Sequence, residues 1–585
     1  MENSIAIGSL TATQWNTPAH SADGAERIYF VGPFITMIQV LGAGGTSDTA
    51  RLWIDCTEAQ VKSVNNTSSI TTNSKSNLMI VGGTFVQTVQ NTVTPVNIFR
   101  SENNTTLKGA TVISNDVMAI RVWLDNTYNV NNVAIEDCTI YQNVDINTLT
   151  YNGNLADAIA VAQTSVITDT THYNGITIKN NTIWYGKIII PGLTQDARDN
   201  DRFPRGVDID GNKIHKTPRN AIQANYIRMN ASGDWNYVRN NELYDVGING
   251  SEALTNGLQL NDNQHLIVEN NKIYTLHNPG GVGDSNGIII DWWGIQSSGD
   301  SSYSDDIIVR RNYIEHCEET PNCAAISLWA CTNTEVYGNI CVNNNHGISI
   351  SDALAQFTFT ITSFTPGNPS TIAFTAQNNV EAKIGDRITI SGVTINAGPD
   401  INGTHLVTVD GPTSALVTFD FDSTGGNYSG GTFRLNRSRG NKINNNLCLN
   451  NNTSGVFTKF GANNYQDTEV SNNVLSGAVN GYKHQNLHGS VIAGETNNVY
   501  WNQSGDKIDN NGSPSTIDAT SIDASKNPLD DNDELINSSE FIGKGIRWWT
   551  GANPLGSDGY PFADVATDIG DKQTHYNPLH PAYKG

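Results

Sequence analysis

Three aspartates, Asp262, Asp291 and Asp352, lie at the ends of short hydrophobic runs that read NGLQLND, NGIIIDW and HGISISD. A carboxyl group held protonated can donate to a leaving oxygen while a second, ionised carboxylate activates water or attacks directly, so aspartates at a fixed separation are candidates for acid and base work. Aromatic and polar residues accompany them: Trp292 and Trp293 follow Asp291, and Trp329, Asn225, Asn261, Arg228, Lys459 and His277 occupy related places in neighbouring runs. Tryptophan offers a broad apolar face with a polar edge, and amides and cations supply hydrogen-bond donors. The three aspartates are therefore the candidate catalytic residues, and the others are the candidate substrate contacts.

The elements that must position these side chains are announced by a repeated phrase: a β-branched residue, two mostly polar positions, an asparagine, a spacer and a hydrophobic residue. Its asparagines are Asn181, Asn212, Asn241, Asn271, Asn312, Asn339, Asn446 and Asn473, at spacings of 31, 29, 30, 41, 27, 107 and 27. A period of this length with no helical spacing predicts stacked strand coils in a solenoid. At a coil corner an asparagine tolerates unusual backbone angles and its amide can bond to the next coil, so the repeated Asn is read as scaffold.

A further strand follows each phrase, as in NAIQANY from Asn220, NGLQLND from Asn256, NGIIIDW from Asn286 and AAISLWA from Ala324. Alternation turns its third and fifth residues, among them Ile222, Leu258, Leu260, Ile288, Ile290, Ile326 and Leu328, into the coil. The sixth column then faces outward and reads Asn225, Asn261, Asp291, Trp329, Ser351, Lys459 and Gln485, with Asp262 and Asp352 in the seventh. Coils stack about 4.8 Å apart, which makes Asp262 and Asp291 near neighbours and separates Asp291 from Asp352 by about 9.6 Å. Retaining glycosidases hold their carboxyl groups about 5–5.5 Å apart and inverting ones about 6.5–9.5 Å apart, so both pairs are open.

The interval of 107 holds an unrelated block, residues 357–436, whose alternating strands and Gly, Pro and Asn turns predict a small all-β module. The interval of 41 holds NGIIIDWWGIQSSGDSSYSDD, a rim loop overhanging the outward face. The expected organisation is a capping segment over 1–69, an all-β right-handed single-stranded parallel β-helix over 70–356 and 437–510, the inserted domain, and a capping segment over 511–585.

Composition narrows the partners. Thirty-four basic against 57 acidic residues give a net charge of −23. Nucleic acid and anionic membrane are poor partners for such a chain, and a polyanion would need a local basic patch or a bound cation. A neutral or weakly charged polymer fits better. The start MENSIAIGSLTATQW lacks a signal-like pattern, and no apolar run is long enough to span a bilayer. Of the seven cysteines, Cys138, Cys341 and Cys448 fall in strands as buried thiols, whereas Cys317, Cys323 and Cys331 share one turn. A Cys317–Cys323 disulfide is one alternative there, and the spacing matches no usual zinc pattern. No cofactor or metal is expected, apart from a structural calcium as the alternative to a solvated loop at DARDNDR, residues 196–202.

Rung text such as IVENNKIYTLHN and EVYGNICVNNNHGISI resembles the right-handed parallel β-helix proteins of the pectin-lyase-like superfamily over residues 70–510. The inserted IGDRITISGVTINAGPDINGTHLVTV is similar to a module of bacteriophage tail and virion proteins, and GIIIDW to a strand of β-helical β-xylosidases. The closing segment from NPLDDNDELINSSEF is similar to that of β-helical polysaccharide-active proteins. The resemblance implies a virion-associated or extracellular enzyme that cleaves a surface polysaccharide, a glycoside hydrolase in the first instance, and a homotrimer of the tailspike kind. It admits two alternatives. One is a polysaccharide lyase, with Arg228, Lys459, Lys483 and His484 supplying the base and the cation, although the DPH phrase of alginate epimerases is absent. The other is a non-catalytic tail or adhesin module that binds glycans through Trp292, Trp293 and Trp329.

Overall fold

The structure is a computed structural model that describes residues 27–524 apart from short segments, of which 164–172, 191–202 and 292–303 are the longest, together with strands Ser4–Ile7 and Trp15–Asn16. No helix occurs among the described residues. The chain divides into two units, Met1–Asn286 and Gly287–Gly585.

In the first unit each coil from Leu78 onward contributes three strands. One coil comprises Tyr173–Lys179, Thr182–Trp184 and Ile188–Ile190, and the next comprises Arg205–Asp210, Lys213–His215 and Ile222–Asn225. The third coil follows with Asn236–Arg239, Glu242–Val246 and Leu258–Asn261. All pair in parallel, and like sits on like: Ile178 on Ile209, Ile183 on Ile214, Ile188 on Ile222. These inward columns are fully buried. The fold is an all-β parallel β-helix, in which β-branched residues stack in columns that extend from coil to coil.

The repeated asparagine is what holds the corner. The backbone N–H and the side-chain amide of Asn181 both donate to Asn212 Oδ1, at 3.1 and 2.9 Å, and Asn212 treats Asn241 alike, at 3.0 Å for each bond. Asn241 continues the ladder to Asn271 at 3.1 and 2.9 Å. Each side-chain amide also donates to a backbone carbonyl, as Asn241 Nδ2 does to Ile209 O at 3.0 Å. The left-handed turn belongs to the residue before, Asn180, Gly211, Asn240 or Asn270, with φ between 54° and 68°. The unusual backbone angle and the amide ladder therefore fall on adjacent residues, not on one as the sequence reading had it.

The second unit repeats the device through Asn312, Asn339, Asn446, Asn473 and Asn498. Asn498 escaped the sequence pattern because Glu495 stands where the phrase has a β-branched residue. The Asn339–Asn446 bonds, 3.1 and 2.9 Å, join coils that lie 107 residues apart in sequence. Between them, six strands close a barrel in the order Phe359–Thr365, Ser370–Phe374, Leu416–Phe419, Gly403–Val409, Arg387–Ser391, Thr432–Asn436. Phe359, Ile372, Ile388, Val407, Phe419 and Phe433 fill its core. At its root the fully buried Asp386 takes Arg437 Nη2 at 2.8 Å and Arg439 Nη1 at 2.7 Å. All seven cysteines are buried thiols outside any disulfide, and Cys323 Sγ donates to Cys317 O at 2.9 Å, so these two are not bridged.

Asn241→Ala should lower stability by about 3 kcal/mol in chemical denaturation, because several buried groups lose their partners at once. Asn131→Ala, which removes the exposed bond to Asn103, should cost within about 0.5 kcal/mol. Equal losses would show that the buried ladder has no special weight.

Candidate functional site

The outward columns of the third strands are in the expected register, but several of their side chains are sealed. In the first unit Asn225 pairs with Asn261, and both are buried. Asn261 Nδ2 donates to Asn225 Oδ1 at 2.7 Å, and Asn225 Nδ2 to Ile190 O at 2.8 Å. They form a further amide ladder and do not line a groove. Asp262 is fully buried with φ 53°, which corrects its expected outward position: the strand ends at Asn261, and strict alternation does not pass through a left-handed residue. Arg228 is also buried, its guanidinium 4.1 Å from the Phe203 ring centroid and donating to the carbonyls of Ile227 and Asp262. His277 is half-buried, with Nε2 3.4 Å from Asp245 Oδ1.

In the second unit Trp329, Ser351, Lys459 and Gln485 follow one another in register. Ile290 pairs with Leu328, which brings Asp291 one residue further along to the row of Trp329. Asp291 is partly buried, and its carbonyl accepts Ser304 Oγ at 2.9 Å. Trp329 is committed to the scaffold: its Nε1 donates to Ser327 Oγ at 2.7 Å, and its ring packs against the core of the inserted barrel. Trp292, Trp293, Asp352 and the stretch 196–202 lie outside the described residues, and Lys459 is described by its backbone alone.

The first unit gathers charged and amide groups where its third strands begin. Asp157 precedes Ile159–Gln163, Lys187 precedes Ile188–Ile190, and Arg219 and Asn220 precede Ile222–Asn225. Backbone bonds from Ala158 N to Lys187 O, 2.9 Å, and from Ile188 N to Ala221 O, 3.0 Å, stack these starts on consecutive coils. Lys187 Nζ is 3.5 Å from Asp157 Oδ1 and donates to Gln223 Oε1 at 3.0 Å, while Asn220 donates to Gln259. The loop that delivers Asp157 is pinned by Asn143, whose Nδ2 donates to Ala156 O at 2.9 Å and whose Oδ1 accepts Ala156 N at 2.9 Å. Gly186 is required beside it, since a Cβ there would meet Gln142 and Ala158 side chains at 2.7–2.8 Å.

Burial raises the Asp157 carboxyl above the ordinary carboxylate range, and the nearby cations Lys187 and Arg219 offset part of the rise. One coil row further on, Arg121 pairs with Ala160, Ala160 with Ile189, and Ile189 with Gln223, so these residues share the outward face. The Arg121 guanidinium lies 3.7 Å from the Trp123 ring centroid, and burial brings its pKa down to about 10. The face thus offers a carboxyl group whose pKa burial raises, together with carboxamides and cations, the kinds of group that donate protons and orient hydroxyl groups. No group of three metal-ligating side chains forms among the described residues.

Sequence reasoning missed both this cluster and an aromatic stack. Tyr141, Trp184, His215, Tyr244 and Tyr274 occupy one register column of the second strands. The visible signal was an aromatic residue three places after the asparagine in NTIW, NKIH, NELY and NKIY. Trp184 and His215 stack 4.5 Å apart at 15°, and Tyr244 meets His215 edge-on at 4.0 Å. With its faces occupied by neighbouring rings, the Trp184–His215–Tyr244 stretch is a scaffold, and His215 is a strand residue in it.

No known protein family and no curated protein matches the chain. Solved structures do. The Streptococcus pneumoniae surface adhesin PfbA aligns with a TM-score of 0.36 and 14% identity over 56% of this chain and 79% of its own. The periplasmic alginate epimerase AlgG gives 0.31 and 10% over 84% and 74%, and the tailspike of E. coli bacteriophage HK620 gives 0.29 and 10% over 74% and 86%. At these scores the likeness carries no inference about activity.

Burial pushes the His215 pKa down from 6.5 to about 4. The unfolded imidazole therefore takes up its proton first as pH falls: this contribution to stability is complete above pH 6.5, declines toward pH 4 and levels off below. Urea titrations at pH 7 and 4.5 should show His215→Phe losing less stability than the parent, by up to about 3 kcal/mol. Equal losses would contradict the assignment.

Proposed function

We propose that the protein is a carbohydrate-active β-helix protein that takes a polysaccharide across the third-strand face of its first unit and cleaves it there. The observation that carries this reading is the convergence of Asp157, Lys187, Arg219, Asn220, Gln223 and Gln259 on an outward face built from consecutive coils. A row of coils gives a linear polymer several equivalent places to lie, and the buried amides Asn220, Gln223 and Gln259 hold one another and Lys187 in place beside the half-buried Asp157.

Asp157 is assigned as the proton donor to the glycosidic oxygen, a role that suits a carboxyl group whose pKa burial raises. Hydrolysis also requires a second carboxylate to activate water or attack the sugar, and Asp291, an aspartate of the second unit, is tested as a candidate on its own. Elimination is the second reading, favoured by the cations Lys187, Arg219 and Arg121 at this face, which could neutralise a uronate carboxylate while a base removes the adjacent proton.

A panel of polysaccharides incubated with the full chain distinguishes the readings. New reducing ends without the ultraviolet absorbance of an unsaturated uronate mean hydrolysis, that absorbance means elimination, and retention without products means a binder. Asp157→Asn should lower kcat by about 10²–10⁴-fold with an unchanged melting temperature, and activity of the parent should fall as pH rises through the elevated pKa of Asp157. An undiminished rate in Asp157→Asn removes it from the mechanism; the same substitution at Asp291 tests that residue independently.

A further inference from the structure

The described basic side chains of this acidic protein commonly have acidic partners. Arg27 pairs with Asp55, Arg239 with Asp208, and Arg437 with Asp386. Arg121 differs. Its Nε donates to the neutral Asn97 Oδ1 at 3.1 Å, its guanidinium lies on Trp123, and no carboxylate among the described residues forms an ion pair with it. It is nevertheless desolvated enough to depress its pKa, with burial as the cause. Withdrawing a guanidinium from water is unfavourable, and in a chain of net charge −23 a cation on an outward face that no described carboxylate pairs with stands apart from the field around it.

The surroundings of Arg121 suit a bound sugar. Along its row come Ala160, the apolar Ile189 and then Gln223, which Lys187 holds by its carboxamide oxygen. Three coil steps separate Arg121 from Gln223, or about 14 Å, with a low apolar floor between two polar walls. Stacking on Trp123 and the bond from Nε fix the plane of the guanidinium, and a fixed planar fork matches the two oxygens of a carboxylate.

We propose that Arg121 recognises a carboxylate-bearing sugar, so that the polymer taken by this face is an acidic polysaccharide and not the neutral one that the overall charge favours. This rests on the reading of the face as a polysaccharide site. Arg121 is a specificity residue in this arrangement: it selects and orients the charged sugar beside the Asp157–Lys187 cluster.

The test is affinity electrophoresis of the full chain in gels containing polygalacturonate, alginate or hyaluronan, each of the three after carboxyl reduction, and neutral dextran and xylan. Retardation by at least one acidic polymer is expected, lost when its carboxyl groups are reduced. Arg121→Gln should weaken it about tenfold or more, the scale of a charge-assisted bond pair, and Arg121→Lys, which keeps the charge without the fork, should weaken it less. Should Arg121→Gln fail to fold, the Lys variant carries the comparison. Equal retardation by reduced and native polymers, unaltered retardation in both variants, or retardation by dextran or xylan alone overturns the proposal while leaving the broader polysaccharide reading intact. Absence of both retardation and cleavage with every polymer overturns both.

Discussion

Everything in this protein depends on one coil repeating the hydrogen-bond register of the last. The interior asparagine ladder enforces it: each Oδ1 collects a backbone and a side-chain N–H from the adjacent coil, and each amide returns a bond to a backbone carbonyl. A slip of one residue would turn the apolar columns outward and leave buried amides without partners, so polar and apolar terms penalise the same error. The left-handed residue beside each ladder asparagine makes the corner sharp, and the requirement for positive φ explains why Asn and Gly prevail there.

A locked register also explains what the scaffold tolerates. The barrel between Phe359 and Asn436 leaves and re-enters the second unit where the Asn339–Asn446 bonds carry on regardless, since a closed barrel with its own core asks only that its two ends return to one corner. Asp386, Arg437 and Arg439 secure that return with buried charge-assisted bonds, and Trp329 seals the seam. An indole positioned to look like a sugar platform thus has a structural use.

Chemistry is concentrated where the repeat is least regular. The turn before the third strands carries loops of unequal length, and one of them, pinned by Asn143, sets Asp157 against Lys187 of the next coil. Desolvation on this face disfavours charge on both kinds of group, which raises the pKa of Asp157 and lowers that of Arg121.

The sequence by itself determined the β-helix. The asparagine period, the β-branched columns and the interval of 107 residues are linear signals, because in a solenoid contacts are made at a nearly constant sequence separation. It also determined the register that puts Trp329, Ser351, Lys459 and Gln485 in one column. Tertiary structure alone decided which of those outward positions meet solvent. Asn225 and Asn261 became a buried ladder, Asp262 is buried past its strand end, and Trp329 went to the barrel, because what packs over a position is not set by the repeat. The Asp157–Lys187–Gln223 cluster was invisible for the same reason: Asp157 and Lys187 precede their strands by different numbers of residues while Gln223 lies within its own, and only the stacking of coils brings them together.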